Sequence, residues 1–156
     1  MRDYVTFILN NKVQTVSDLA GDITLLAWLR STRRLTGSKE GCAEGDCGAC
    51  TVVLARPDAG GSMVWRPVNA CILFMGMLEG ASITTIEGLS DGAGGLHPCQ
   101  QAMVDFHASQ CGFCTPGFVM SLFAAWCNRD GLEAEAIDDT LAGNLCRCTG
   151  YRPIVD

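Results

Sequence analysis

Ten cysteines fall in 156 residues, and eight of them form two tight groups, which constrains this chain more than any other feature. The first group lies in Gly41-Cys42-Ala43-Glu44-Gly45-Asp46-Cys47-Gly48-Ala49-Cys50-Thr51, a C-x4-C-x2-C loop, with Cys71 following downstream. Two irons bridged by two sulfides need four thiolates, and a loop this short brings three of them to one side. The interleaved Gly41, Gly45 and Gly48 suit a backbone that takes φ > 0 and turns its N–H groups toward sulfur. Hydrogen bonds of that kind, with solvent exposure and nearby charge, set a cluster's potential.

The spacing is that of plant-type [2Fe-2S] ferredoxins. Two other readings compete with it. A zinc site usually pairs C-x2-C with a second such pair or with two histidines; the x4 spacing and the lack of a nearby His argue against it. A disulfide framework suits a short secreted chain, whereas Met1-Arg2-Asp3-Tyr4-Val5-Thr6 has neither the basic nor the apolar region of a signal peptide. Free thiols in such number then imply metal ligands in a reducing, cytoplasmic setting. The net charge of −6 (11 basic, 17 acidic residues) gives no field for nucleic acid or an anionic membrane. No apolar run approaches the ~20 residues of a membrane span.

Around the loop, Tyr4–Leu9 and Val13–Val16 read as strands joined by an Asn10-Asn11 hairpin turn. Asp22 or Thr24 caps a helix burying Leu25, Leu26, Trp28 and Leu29 and stopping near Gly37. Thr51–Ala55, Val64–Val68 and Ile83–Ile86 read as further strands, with an apolar segment from Ile72 to Leu78. Ser90–Gly95 is a flexible connector, which divides the chain into residues 1–89 and 90–156.

Beyond the connector the periodicity is helical. One helix opens at Pro98 and runs toward Ser109, with Ala102, Met103 and Phe106 inside. A second is capped by Thr115 ahead of Pro116, buries Phe118, Leu122, Phe123 and Trp126, and ends before Gly131. Ala134–Leu141 and Tyr151–Asp156 suggest a third and the opening of a fourth. This half carries Cys111-Gly112-Phe113-Cys114 and Cys146-Arg147-Cys148, each pair placed just before a helix start. There the N–H groups and dipole favour a negative iron–thiolate cluster; C-x-C is tight for a zinc knuckle.

Three long motifs occur in order: Lys39 to Thr51, Gln110-Cys111-Gly112-Phe113-Cys114-Thr115-Pro116-Gly117-Phe118, and Gly143-Asn144-Leu145-Cys146-Arg147-Cys148-Thr149-Gly150-Tyr151. Together they resemble the iron–sulfur portion of the molybdenum hydroxylases, over nearly the whole chain. The first loop and Leu96-His97-Pro98-Cys99-Gln100 resemble the xanthine dehydrogenase branch more than the carbon monoxide or quinoline enzymes. The resemblance implies an α+β chain: a plant-ferredoxin-like β-grasp domain, then an all-α four-helix bundle. It implies two [2Fe-2S] clusters. Cys42, Cys47, Cys50 and Cys71 would hold the one nearer FAD; Cys111, Cys114, Cys146 and Cys148 the one nearer molybdopterin; and Gln110 and Cys148 would approach the pterin.

The implied partners are a molybdopterin-binding large subunit and an FAD-binding subunit or domain, in a dimer of heteromers. The implied reaction is oxidative hydroxylation of hypoxanthine or xanthine, with electrons passing through both clusters to FAD and then NAD. This chain would supply the relay and none of the bond making. Two rival readings are the small subunit of a three-subunit enzyme acting on another heterocycle or an aldehyde, and a zinc-stabilised interaction module. In most bacterial xanthine dehydrogenases an FAD domain continues on the same chain, whereas this one stops at Asp156, which raises truncation, proteolysis or a separate flavin subunit. Outside the motifs, Cys99 and Cys127 read as small hydrophobes, His97 as a helix cap and His107 as a surface or packing residue. Glu40, Glu44, Asp46 and Arg147 read as solvated charges that would also tune a nearby potential.

Overall fold

The computed structural model describes residues 3–90, 94–133 and 136–156. Five strands make one mixed sheet: β1 (Tyr4–Leu9), β2 (Lys12–Ser17), β3 (Thr51–Pro57), β4 (Met63–Asn69) and β5 (Ser82–Thr84), in the order β2-β1-β5-β3-β4. β1 and β5 run parallel, and every other pairing is antiparallel. The Asn10-Asn11 turn forms as expected, with φ of 47° and 64° and Leu9 paired to Lys12.

Helix α1 (Leu25–Ser31) is capped by Thr24, whose hydroxyl accepts the Ala27 N–H at 3.2 Å; Asp22 takes no part in the cap. Leu25, Leu26, Trp28 and Leu29 are buried against Phe7 and Leu9 of β1, Val52 and Leu54 of β3 and Ile83 of β5. Phe7 meets Trp28 edge-on, 5.6 Å between ring centres.

Thr51 to Ala55 are all buried, so β3 is covered on both faces. Its even members Val52 and Leu54 join the α1 core, while Val53 points the other way into a cluster with Met120 and Ala124. Those two belong to α3 (Thr115–Asn128), which lies across β3 and β4. A near-continuous apolar strand is what two-sided burial requires.

The remaining helices are α2 (Pro98–Asp105), α4 (Ile137–Leu141) and α5 (Arg152–Val155). Helix α2 ends well before Ser109; Met103 is buried, whereas Ala102 and Phe106 are exposed. Its cap is His97, whose Nδ1 accepts the Cys99 N–H at 3.2 Å while Gln100 Oε1 accepts the His97 N–H at 3.0 Å. The His97 ring stands edge-on to Phe123 and Trp126, and its burial lowers the imidazole pKa, which suits the neutral acceptor the cap needs.

Helix α3 starts one residue earlier than the Thr-Pro pair suggests: Cys114 is the cap, and Thr115 Oγ1 instead bonds Ser109 Oγ at 2.8 Å. Trp126 is half exposed, and the buried face of α3 carries Gly117, Phe118, Met120, Ser121, Ala124 and Ala125. The strand expected at Ile83–Ile86 ends at Thr84, Ile86 opening a 3-10 turn to Leu89; Met75–Leu78 is a second such turn. Part of the Ser90–Gly95 connector and the first residues of the expected Ala134–Leu141 helix lie outside the described residues.

Candidate metal centres

The first cysteine loop runs between α1 and β3, and its fold is written in local hydrogen bonds. The N–H groups of Glu44, Asp46 and Cys47 converge on Cys42 Sγ at 3.5, 3.3 and 3.4 Å, and the Cys42 N–H points at Cys47 Sγ at 3.4 Å. A ring of N–H donors closed on sulfur favours the thiolate over the thiol. The N–H groups of Glu44 and Cys47 accordingly lower the Cys42 pKa to about 6, with burial opposing them and the Asp46 N–H and Cys47 thiol adding to them.

The backbone reaches this shape with positive φ at Ala43, Gly45 and Gly48, at 59°, 91° and 70°. Gly41, expected to share that conformation, does not; it is small for lack of room, since a Cβ there would lie 2.8 Å from Cys47 Sγ and 3.6 Å from the Phe113 ring. Cys50 sits where β3 begins and Cys71 just past β4, both buried. Burial chiefly pushes Cys50 up to about 12; the Cys71 N–H opposes it, while the neighbouring Cys71 thiol adds to it. Asn69 ties β4 to the loop by donating from Nδ2 to the Gly45 carbonyl.

The second set is assembled from α2–α3 and from the segment before α5. Cys148 Sγ lies 3.6 Å from Cys111 Sγ, and both residues are exposed, next to exposed Gln110. Cys114 and Cys146 are less exposed, and their thiols act on one another. Burial pushes Cys114 up to about 12. Burial acts the same way on Cys146 but is outweighed there. The Thr149 hydroxyl, 3.2 Å from Sγ, with the N–H groups of Thr149 and Cys148 and the Cys114 thiol, holds Cys146 down to about 7. Helix α5 has only four residues, so the dipole expected from it is small beside these direct bonds.

The eight cysteines thus meet in pairs: Cys42 with Cys47, Cys50 with Cys71, Cys111 with Cys148, and Cys114 with Cys146. A two-iron cluster divides four thiolates two and two, and these pairs follow that division. Among the described residues, no three His, Cys, Asp or Glu side chains gather closely enough for a single ion. The thiol-only donors, ringed by N–H groups, fit an iron–sulfur cluster. Cys99 and Cys127 stand apart from both sets, and burial raises both thiols.

Several residues quoted in the motifs, but given no role from sequence, shape these sites. Tyr151, at φ 68°, accepts the Cys146 N–H on its hydroxyl at 2.9 Å and meets Phe118 edge-on. Asn144 is buried between the two sets, and the N–H of Leu145 donates to the carbonyl of Cys47 at 3.0 Å. One backbone hydrogen bond therefore joins a cysteine of the first set to the residue directly before a cysteine of the second.

Residues 85–156 match the family described as [2Fe-2S] binding domain. A xanthine dehydrogenase of Blastobotrys adeninivorans is 46% identical over 154 residues, 97% of this chain and 11% of that protein. Aldehyde oxidase 3 of Mus musculus is 44% identical over 155 residues, 99% of this chain and 12% of that protein. The crystal structure of quinoline 2-oxidoreductase from Pseudomonas putida superposes with a TM-score of 0.83 at 33% identity, over 98% of this chain and 88% of that one. The chain belongs to the xanthine dehydrogenase–aldehyde oxidase family of molybdenum hydroxylases, as its iron–sulfur domain. It spans about an eighth or less of the length of the curated relatives it matches. As an iron–sulfur domain of such an oxidoreductase, it has an electron-transfer role. No helix among its described residues is long and apolar enough to cross a membrane.

Proposed function

We propose that this chain is the two-cluster electron relay of a cytoplasmic xanthine dehydrogenase-type enzyme. It would be organised as a ferredoxin-like β-grasp unit over residues 1–89 and a helical-bundle unit over 90–156. Each cluster, when bound, supplies a one-electron carrier. Cys42, Cys47, Cys50 and Cys71 hold the cluster on the FAD side, and Cys111, Cys114, Cys146 and Cys148 the cluster on the molybdopterin side. The observation that carries this reading is the pairing of all eight thiols inside two separate loop systems.

The chain's own residues do the rest. The N–H ring on Cys42 holds negative charge on sulfur, and Thr149 does the same at Cys146. Buried Cys50 and Cys71 keep water from one side of the first site, while exposed Gln110, Cys111 and Cys148 leave an edge of the second open. That open edge suits a pterin on a molybdenum subunit, with Gln110 and Cys148 in contact. FAD and NAD would lie downstream, on another subunit or domain of a dimer of heteromers. The substrate we favour is hypoxanthine or xanthine, because the first loop and the Leu96–Gln100 stretch resemble that branch. An aldehyde has support of its own, since aldehyde oxidase 3 of Mus musculus is 44% identical to this chain.

The test begins with the assembled enzyme purified without air. It should carry about four irons and about four acid-labile sulfides per chain, and two distinct EPR signals after reduction. Cys148→Ser should alter one signal, slow flavin reduction by substrate and leave the other signal intact. Zinc in place of iron, or both signals lost together, would refute two independent clusters. Turnover of xanthine against an aromatic aldehyde separates the two substrates.

A further inference from the structure

The two cysteine sets meet at one point, and a buried amide occupies it. Asn144 is only 3% exposed, and both polar atoms of its side chain bond to other parts of the chain. Its Oδ1 accepts from Ser121 Oγ of α3 at 2.6 Å. Its Nδ2 donates to the Gly48 carbonyl at 3.1 Å and toward Thr51 Oγ1 at 3.3 Å. Gly48 lies between Cys47 and Cys50, and Asn144 lies two residues before Cys146. The same Gly48 carbonyl also accepts from the N–H and hydroxyl of Thr51, at 3.1 and 2.7 Å. The amide thus clamps the first loop, the second loop and α3 at once.

The packing shows how little play this junction has. Gly48 has φ +70°, and a Cβ there would fall on the Gly143 carbonyl and on the Asn144 amide. A Cβ on Gly117 would fall on the Gly48 carbonyl from the α3 side. Backbone meets backbone from both directions, and Asn144 supplies the directional bonds that choose one register. Beside it runs the bond from the Leu145 N–H to the Cys47 carbonyl.

We infer that Asn144 is a positioning residue that fixes the two cluster sites relative to each other and holds the Cys47–Leu145 bond in place. This rests on the reading that both cysteine sets carry clusters. Losing the amide leaves the thiols, their pairing and their N–H donors intact, so each site should still load. What changes is the spacing and orientation between sites, and with them the electronic contact. Asn144→Asp is the sharpest variant: it keeps the shape and the acceptor for Ser121, but sets an oxygen against the Gly48 carbonyl.

The experiment compares the intact assembled enzyme with its Asn144→Asp and Ser121→Ala variants, after reduction, by low-temperature EPR. Iron content and the two separate signals should match the parent protein. The dipolar splitting between the two centres should shift, and electron equilibration between them after flash reduction should slow several-fold, less so in Ser121→Ala. A merely structural amide would lower the melting temperature and leave the splitting unmoved. Parent values of splitting and equilibration in fully loaded variants overturn the inference; if Asn144→Asp does not fold, Ser121→Ala decides by the same readings. A parent enzyme lacking one cluster signal overturns the two-cluster reading itself, and this inference with it, whereas a loaded parent with unmoved variants overturns this inference alone.

Discussion

Cys42 and Cys50 share one loop and have opposite surroundings. Three backbone N–H groups close on the Cys42 sulfur and lower its pKa to about 6, whereas burial pushes Cys50 up to about 12. A thiol whose value is lowered is thiolate above that value and loses the charge as pH falls through it. In cluster-free chain at pH 7, Cys42 rather than Cys50 is therefore thiolate and nucleophilic. Iodoacetamide labelling followed by peptide mapping should modify Cys42 well before Cys50, with a rate that climbs as pH rises through about 6. Equal labelling of the two would refute the N–H ring. Cys42 was legible as a candidate ligand from spacing alone. Its charge state was not, because that depends on where the N–H groups of Glu44 and Asp46 point.

Among the elements, α3 shows how propensity and packing part company. Gly117 sits in the first turn of α3, and in a helix Ala is favoured over Gly by up to about 1 kcal/mol. Against this, a Cβ would fall on the Gly48 carbonyl, and overpacking costs about 1–3 kcal/mol. Packing wins, so Gly117→Ala should lower the melting temperature of the loaded protein. Gly76→Ala, with nothing within 4 Å of the added carbon, should leave it nearly unchanged. A stabilised Gly117→Ala would refute the close approach.

The same close approach explains why part of the buried face of α3 was misread from sequence. Large side chains suggested a face of Phe118, Leu122, Phe123 and Trp126. Phe118 is fully buried and Trp126 half exposed, yet the helix meets Val53 of β3 through Met120 and Ala124 and meets Gly48 and Asn144 through Gly117 and Ser121. Periodicity reports that a helix has an apolar side, not how close its neighbour comes. The hairpin and the helix α1 were readable because Asn10-Asn11 and Thr24 act on their own neighbours.

At the scale of the whole molecule, β3 is the shared wall. Val52 and Leu54 serve the core under α1, and Val53 serves the cluster formed with Met120 and Ala124. Met120 is fully buried there, so Met120→Ala should cost about 2–5 kcal/mol. Because both cores lean on this wall, bleaching of the iron–sulfur absorption on heating should coincide with loss of far-UV ellipticity in one transition. Two separate transitions would show that the halves unfold independently.

What the sequence determined by itself is the candidate chemistry of each site and the most local turns: eight thiols in ligand spacing, Gly45 and Gly48 where the first loop turns, a hairpin, and the Thr24 and His97 caps. These are local properties, and local residues state them. Only the tertiary structure decided that β5 enters between β1 and β3, and that α3 lies on the far face of β3. It alone brought Asn144 to Gly48 across 96 positions of the chain. A buried amide or a small-residue face satisfies many neighbours equally well in sequence, and only the packed chain selects the one it meets.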